Sequence, residues 1–218
     1  MSDTPLRSFP LTPVERTAKT HAILCVTGFL ILLPIGALVA RFIRTFSTRW
    51  WTAHSLIQFV ISGPIIGVGW SFGHQTAQML NMGHFIDTHQ QTGLALLILY
   101  IAQLLLGIFI HFYKFPSLFQ GHRPPQNYFH IFLGVAIFIL AAFQVHYGLY
   151  TEWNVLGGLH HVPQSAKNAW LALIIIFWSL YLLGMTLLPR QWRQEDLMRV
   201  EKNQEVPLQD SRKISSHT

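Results

Sequence analysis

The sequence predicts an all-α, multi-pass membrane bundle with five transmembrane helices. Three observations predict it. First, 51% of the 218 residues are AVILMFWYC and only 11% are Asp, Glu, Lys or Arg, whereas an ordinary soluble domain is about a quarter charged. One small soluble core cannot bury that much apolar surface, which excludes a soluble enzyme and a disordered chain alike. Second, the charges leave five uncharged spans, each long enough for a membrane helix of about 20 residues. Third, the 15 Lys and Arg, which give a formal charge of +6, sit in short clusters between those spans. That pattern reads as membrane topology rather than nucleic-acid binding. The one cysteine, Cys25, excludes an internal disulfide framework and any Cys-rich metal site.

The elements follow in order. Residues 1–19, with three prolines and mixed charge, read as a short tail, and no signal peptide precedes the first span. The uncharged spans are 20–40, 50–86, 88–113, 124–151 and 168–189. The second is too short for two helices and includes a polar, Gly-rich stretch at 73–83. The expected helices are therefore 21–43, 52–72, 88–112, 128–150 and 168–188. Pro64 is expected to kink the second helix. Residues 190–218, rich in both charges, are expected to form a flexible tail. The domain reading is thus a 1–19 tail, a 20–189 membrane domain and a 190–218 tail, with no second domain and no repeat of solenoid period.

Basic residues orient the chain. Eleven fall on one side: Arg41, Arg44 and Arg49 after the first helix, Lys114 and Arg123 after the third, and six in the C-terminal tail. Four fall on the other, namely Arg7, Arg16, Lys19 and Lys167. The first side is expected to be cytoplasmic, which places the N-terminus outside and the C-terminus inside.

The histidines carry the chemistry. Helices one to four each hold a histidine near the start: His21, His54, His89 and His130. Helices one and three start outside, so His21 and His89 share a depth there. Helices two and four start inside, so His54 and His130 share a depth there. Two imidazoles at one depth can fill both axial positions of a haem iron, and an intramembrane histidine without a partner is costly. The competing reading of any one of them is an interfacial histidine bonded to headgroup or loop. At helical period, His89 shares a face with Gly93, Leu96, Gln103 and Gly107. His130 shares one with Gly134, Ile137, Ala141, Gln144 and Gly148, and His21 lies above Cys25 and Gly28. The small residues either admit a flat macrocycle or pack helix on helix. Gln58, Gln103 and Gln144 either bond a ligand imidazole or propionate, or bridge helices. His146 should face away, His111 falls near the inner end, and His74, His84, His160 and His161 are expected in outer loops.

These residues carry a resemblance. His21 with "PIGALVAR" (Pro34–Arg41), "WWTAHSLIQF" with His54, "DTHQQTGLALLILYIAQLLLGIFIH" with His89, "RPPQNYFHIFLG" with His130 and the closing "QVHYGL" together resemble the cytochrome b561 family. The likeness is to the five-helix module often fused to an extracellular DOMON domain, and it covers about residues 19–188. It implies two b-type haems, with His21 and His89 holding the non-cytoplasmic one and His54 and His130 the cytoplasmic one. Two departures stand out. No DOMON domain is seen, so a partner haem domain is either absent or on another chain. Family members with six helices carry lysines at an ascorbate site where this chain offers Arg44 and Arg49.

The expected function is transmembrane electron transport by four helices around two haems, with the fifth packed outside. A cytoplasmic, ascorbate-like donor reduces the inner haem, and an extracytoplasmic acceptor, such as a ferric chelate or monodehydroascorbate, oxidises the outer one. No catalytic residue beyond the haems is expected. Arg44, Arg49 and Arg123 are the candidate donor contacts, with Lys114 beside them. Arg49 lies five residues before His54 and Arg123 seven before His130. Arg41 is the candidate haem-propionate partner. The competing role of these cations is to anchor the chain to anionic headgroups. Partners are the lipid membrane, the donor and the acceptor, with a separate haem-domain protein or a second copy also open, and no nucleic acid. Rival readings are a haem-anchoring subunit of another oxidoreductase and a haem-free membrane scaffold or receptor.

Overall fold

The computed structural model of the chain describes residues 10–81, 83–113, 123–155, 160–198 and 200. Five helical segments there are long and apolar enough to cross a membrane: α1 Pro13–Thr45, α2 Trp50–Met79, α3 Thr88–Phe112, α4 Pro125–Val155 and α5 Gln164–Met185. No strand occurs among the described residues. The all-α membrane bundle is therefore observed as expected.

Local chemistry sets the helix ends. Thr12 and Glu15 form a reciprocal cap, in which Thr12 Oγ1 accepts from the Glu15 N–H at 3.2 Å and Glu15 Oε2 accepts from the Thr12 N–H at 2.7 Å. With Pro13 in the first turn, that cap starts α1 eight residues before the expected 21. Asp87 caps α3 by accepting from the Gln90 N–H at 2.8 Å, and α3 spans the expected 88–112. The expected stop of the second helix at 72 is corrected: α2 runs on to Met79, because its polar Gly73–Gln78 turn packs against α1. Asn81, at φ 52°, then turns the chain out of the helix.

Both α1 and α2 contain a π turn, at Thr27–Leu32 and Leu56–Ile61. Pro34 and Pro64 follow shortly after, and each removes a helix N–H. At the second turn, side chains add bonds to the helix carbonyls. Ser62 Oγ donates to Ile57 O at 2.7 Å, and the Tyr100 hydroxyl, from α3, donates to Gln58 O at 2.6 Å. Tyr100 is buried, so the bond is shielded from water. Tyr100→Phe is expected to lower unfolding free energy in mixed micelles by about 0.5–1.5 kcal/mol, the net worth of one hydrogen bond.

The core lies midway along the helices. Phe29, Leu30 and Leu33 from α1, Ile66 from α2, Leu96 and Tyr100 from α3, and Ile137 and Ala141 from α4 meet there. In every helix this layer falls between the two histidine levels. The outward faces carry Ile98, Leu105, Phe132 and Ile139, all exposed, as lipid-facing side chains should be. Helix α5 packs on the outside, with Trp170 Nε1 donating to Ala142 O at 3.1 Å and Phe177 lying 4.8 Å from Phe138 between ring centroids.

The expected flexible tail is corrected for its first part. Residues 188–198 are helical and fold back on the α1–α2 connection. Gln191 is buried, and its amide donates to Arg41 O and Thr45 Oγ1, both at 2.8 Å. Of its charged residues, Arg190, Arg193 and Asp196 are exposed, whereas Glu195 is half-buried and pairs with distant arginines.

Candidate functional site

Two sites of the same construction occupy opposite ends of the bundle. At the first, His21 Nδ1 donates to the Gly69 carbonyl of α2 at 2.8 Å. That bond fixes the tautomer and leaves Nε2 with its lone pair. The ring lies so close to Gly73 that a Cβ there would sit 2.8 Å from it. His89 of α3 faces His21, with ring centroids 6.1 Å apart and planes at 83°. Gln144 of α4 donates to His89 O at 2.7 Å, and the same Nε2 lies 3.1 Å from His89 Nδ1. Thr92 Oγ1 donates to the other end of that amide. Gly148 gives the His89 ring its room, since a Cβ there would be 3.3 Å from Cε1.

At the second site the helices exchange roles. His54 Nδ1 of α2 donates to the Gly36 carbonyl of α1 at 2.8 Å. His130 of α4 faces His54, with centroids 6.4 Å apart and planes at 72°. Gln103 of α3 donates to His130 O at 2.8 Å. Gly107 holds the place of Gly148, with a notional Cβ again 3.3 Å from the histidine Cε1. One difference is informative. Leu133 stands where Thr92 stands in the other half, and Gln103 Oε1 is buried without a hydrogen-bond partner among the described residues, as is His130 Nδ1.

The sequence carries this exchange as an unread repeat. Helices α3 and α4 share His-x3-Gly-x9-Gln-x3-Gly, as His89, Gly93, Gln103, Gly107 and as His130, Gly134, Gln144, Gly148. Helices α1 and α2 share His-x14-Gly, as His21 with Gly36 and His54 with Gly69. Aligning each pair on its histidines would have found the two glycine carbonyls.

The residues fit a haem by two independent measures. An imidazole nitrogen binds a transition metal at about 2.0–2.1 Å, and the ring centroid lies about 1.1 Å behind it. Two imidazoles on opposite sides of one iron therefore have centroids roughly 6.3 Å apart. The observed 6.1 and 6.4 Å bracket that value. The donor set agrees. Among the described residues, no three His, Cys, Asp or Glu side chains converge, and two imidazoles alone suit an iron whose other four ligands come from a porphyrin. At the first site a cleft of about 170 Å³ runs between His21, His89, Gly93, Gly148, Trp70 and Trp153. Its lining is mostly apolar, as a flat hydrophobic macrocycle requires.

The remaining candidates fall as follows. Arg41, the candidate propionate partner, donates to the Tyr181 hydroxyl at 3.0 Å and lies over that ring at 4.8 Å, on the side of α5. Gly184 makes the room, because a Cβ there would collide with the Arg41 stem. Arg44 and Arg123 converge on Glu195, at 2.6 and 2.7 Å. Arg49 is exposed just before α2. Lys114 lies outside the described residues. His111 stacks on Trp51 at 4.3 Å. His146 faces α5, 5.1 Å from Trp170, as expected for the far side of α4. His74 lies on α2 rather than in a loop, and stacks on His84 at 4.2 Å. His160 pairs with Glu15 at 3.0 Å. Sequence reasoning missed Glu195, Gln191 and the glycine carbonyls.

Comparison with known proteins gives this geometry its context. The family profile of eukaryotic cytochrome b561 matches residues 20–155, which contain both histidine pairs. The chain belongs to the cytochrome b561 family. A cytochrome b561 carries b-type haem, so the family accounts for paired imidazoles in a membrane bundle with no cysteine attachment motif. Three cytochrome b561 and DOMON domain-containing proteins of Arabidopsis thaliana are similar to the chain. One is 24% identical over 66% of the chain and 38% of its own length. Another is 30% identical over 74% of the chain and 37% of its own length. A third is 35% identical over 37% of the chain and 20% of its own length. The chain thus spans less than two-fifths of the length of these relatives.

Proposed function

We propose that this cytochrome b561 module carries single electrons across the membrane through two b-type haems. One is held by His21 and His89, the other by His54 and His130. The observation that carries the reading is the ring separation, which at both ends equals that of two imidazoles sharing one iron. Haem, when bound, supplies the one-electron carrier. The chain's residues do the rest. Two imidazoles facing each other would hold a haem iron from both sides and leave it no open position for oxygen, which favours electron transfer over oxygen chemistry. The Gly69 and Gly36 carbonyls hold two of the rings in the ligating tautomer. The apolar layer between the levels excludes water and ions from the path.

The His54 end is the cytoplasmic, donor-facing end. The excess of basic residues in the loops and tail there supports this orientation, and so does the charge of an ascorbate-like donor. An enediolate anion is recognised by paired arginine N–H groups, and Arg44 and Arg123 lie together at this end. Arg49 extends the basic field from the start of α2. The His21 end faces the extracytoplasmic acceptor, a ferric chelate or monodehydroascorbate.

The purified protein is expected to contain two haems per chain by pyridine haemochrome assay and to be reduced by ascorbate. One haem or none rejects the reading. Arg44→Gln with Arg123→Gln is expected to slow ascorbate reduction about tenfold, the scale of one or two charge-assisted contacts. Reduction by an uncharged hydroquinone should stay unchanged. A tag after Thr218 should be reached only from the cytoplasm, and one at Met1 only from outside.

A further inference from the structure

Beyond α5 the chain turns back as the helical arm 188–198 and lays one carboxylate on the arginines of the proposed donor site. Glu195 Oε1 lies 2.6 Å from Arg44 and 2.7 Å from Arg123, and Arg123 Nε donates to Oε2 at 3.0 Å. The Arg123–carboxylate contact is therefore two-pronged. The side chains of Arg44, Arg123 and Glu195 are only 29, 11 and 14% exposed, so water screens the pair weakly. Glu195 does not fasten the arm alone. Gln191, 3% exposed, bonds Arg41 O and Thr45 Oγ1, and Gln194 donates to Thr45 O at 3.2 Å. Neutral amides anchor the arm, while the carboxylate does a separate job. Two guanidinium groups around one carboxylate form an anion site, and here the chain supplies the anion.

We propose that Glu195 is an internal competitor for the electron donor: it occupies the Arg44–Arg123 pair, the anionic donor binds by displacing it, and the arm thereby sets donor affinity. This rests on the reading of those arginines as the donor site. The physics is that of a tethered ligand. A carboxylate held near its site by a folded arm acts at an effective concentration in the millimolar range, so a free anion must outcompete it. An enediolate carries the same charge and a similar pair of oxygens, so the exchange leaves the arginines paired throughout. Between turnovers Glu195 keeps two like charges, half withdrawn from water, from facing each other unpaired.

The experiment uses full-length, haem-loaded protein with ascorbate as the probe. Glu195→Gln removes the charge but keeps the size of the side chain. It is expected to lower the KM for ascorbate about tenfold, within the usual range for coupled sites, with kcat and reduction by an uncharged hydroquinone unchanged. An unchanged KM in E195Q, with slowed ascorbate reduction in the double arginine variant, overturns the competitor and spares the donor site. A double arginine variant that ascorbate reduces at the wild-type rate overturns the donor site, and the competitor falls with it. Loss of haem, or slower reduction of E195Q by the hydroquinone, assigns Glu195 a structural task and also overturns the proposal. A second readout is independent of turnover. On dithionite-reduced protein, ascorbate should bind E195Q about tenfold more tightly than the wild type by equilibrium titration. Equal affinity of the two proteins overturns displacement.

Discussion

Replacing His21 or His89 with alanine is expected to remove one haem from each chain, and replacing His54 or His130 to remove the other. Haem content should fall from two toward one in each single variant. The surviving haem should keep its spectrum, because an apolar layer through Leu33, Ile66, Leu96 and Ala141 separates the two levels. The size of the effect follows from what lesser changes do. Loss of a residue that merely orients a metal ligand costs about 10–100-fold in affinity, and loss of the ligand itself exceeds that. The pairs give the experiment its internal check. His21→Ala and His89→Ala must silence the same spectral component, since their rings face each other at 6.1 Å. Any of the four variants that retains both haems removes that residue from the ligand set.

Gly73→Ala is expected to cost the same haem as His21→Ala, although it removes no ligand. A Cβ at Gly73 would lie 2.8 Å from both Cε1 and Nδ1 of His21. The ring is on a short side chain and is held by its bond to Gly69 O, so it cannot yield without losing that bond or the ligating orientation. Overpacking of this kind costs about 1–3 kcal/mol, and here the strain falls on the imidazole. Gly67→Ala, six residues earlier on the same helix, is the control: its Cβ would meet nothing within 4 Å. That variant should keep both haems and be as stable as the wild type or more so, given the lower helix propensity of glycine. Equal haem content in the two variants would show that the space beside His21 is not used.

These expectations also mark how far the sequence could be read. The α3 helix was legible at both ends because Asp87 and a long apolar run announce it. The four histidines were legible as two levels because helix direction alternates with each crossing. The end of α2 was not, since Gly73, His74, Gln75 and Thr76 have loop composition, and it is tertiary packing, of Gly73 against His21 and of buried Thr76 and Ala77, that accompanies their helical form. The Gly36 and Gly69 carbonyls were invisible to a reading based on side chains, although their common distance from a histidine was there to be found. Arg41 was placed by its position at a helix end, but its partner, Tyr181, is 140 residues away. Glu195 was hidden for the same reason. Its partners Arg44 and Arg123 are 151 and 72 residues distant, so its neighbourhood in sequence describes a solvated tail and its neighbourhood in space describes an ion pair.

The exchange of roles between α1 and α2, and between α3 and α4, has an electrical consequence. In the proposed role the two stations of the wire have nearly the same surroundings: a glycine carbonyl on one ring, a glutamine amide behind the other, and a glycine beneath it. The one departure, Leu133 in the place of Thr92 with Gln103 Oε1 and His130 Nδ1 left unbonded among the described residues, is therefore where the two stations would differ in their hold on an electron, since bonds behind a ligand imidazole tune the metal it holds. Traffic on and off the wire is governed at the terminals, where an arginine pair with its resident carboxylate stands at one end and a mostly apolar cleft at the other.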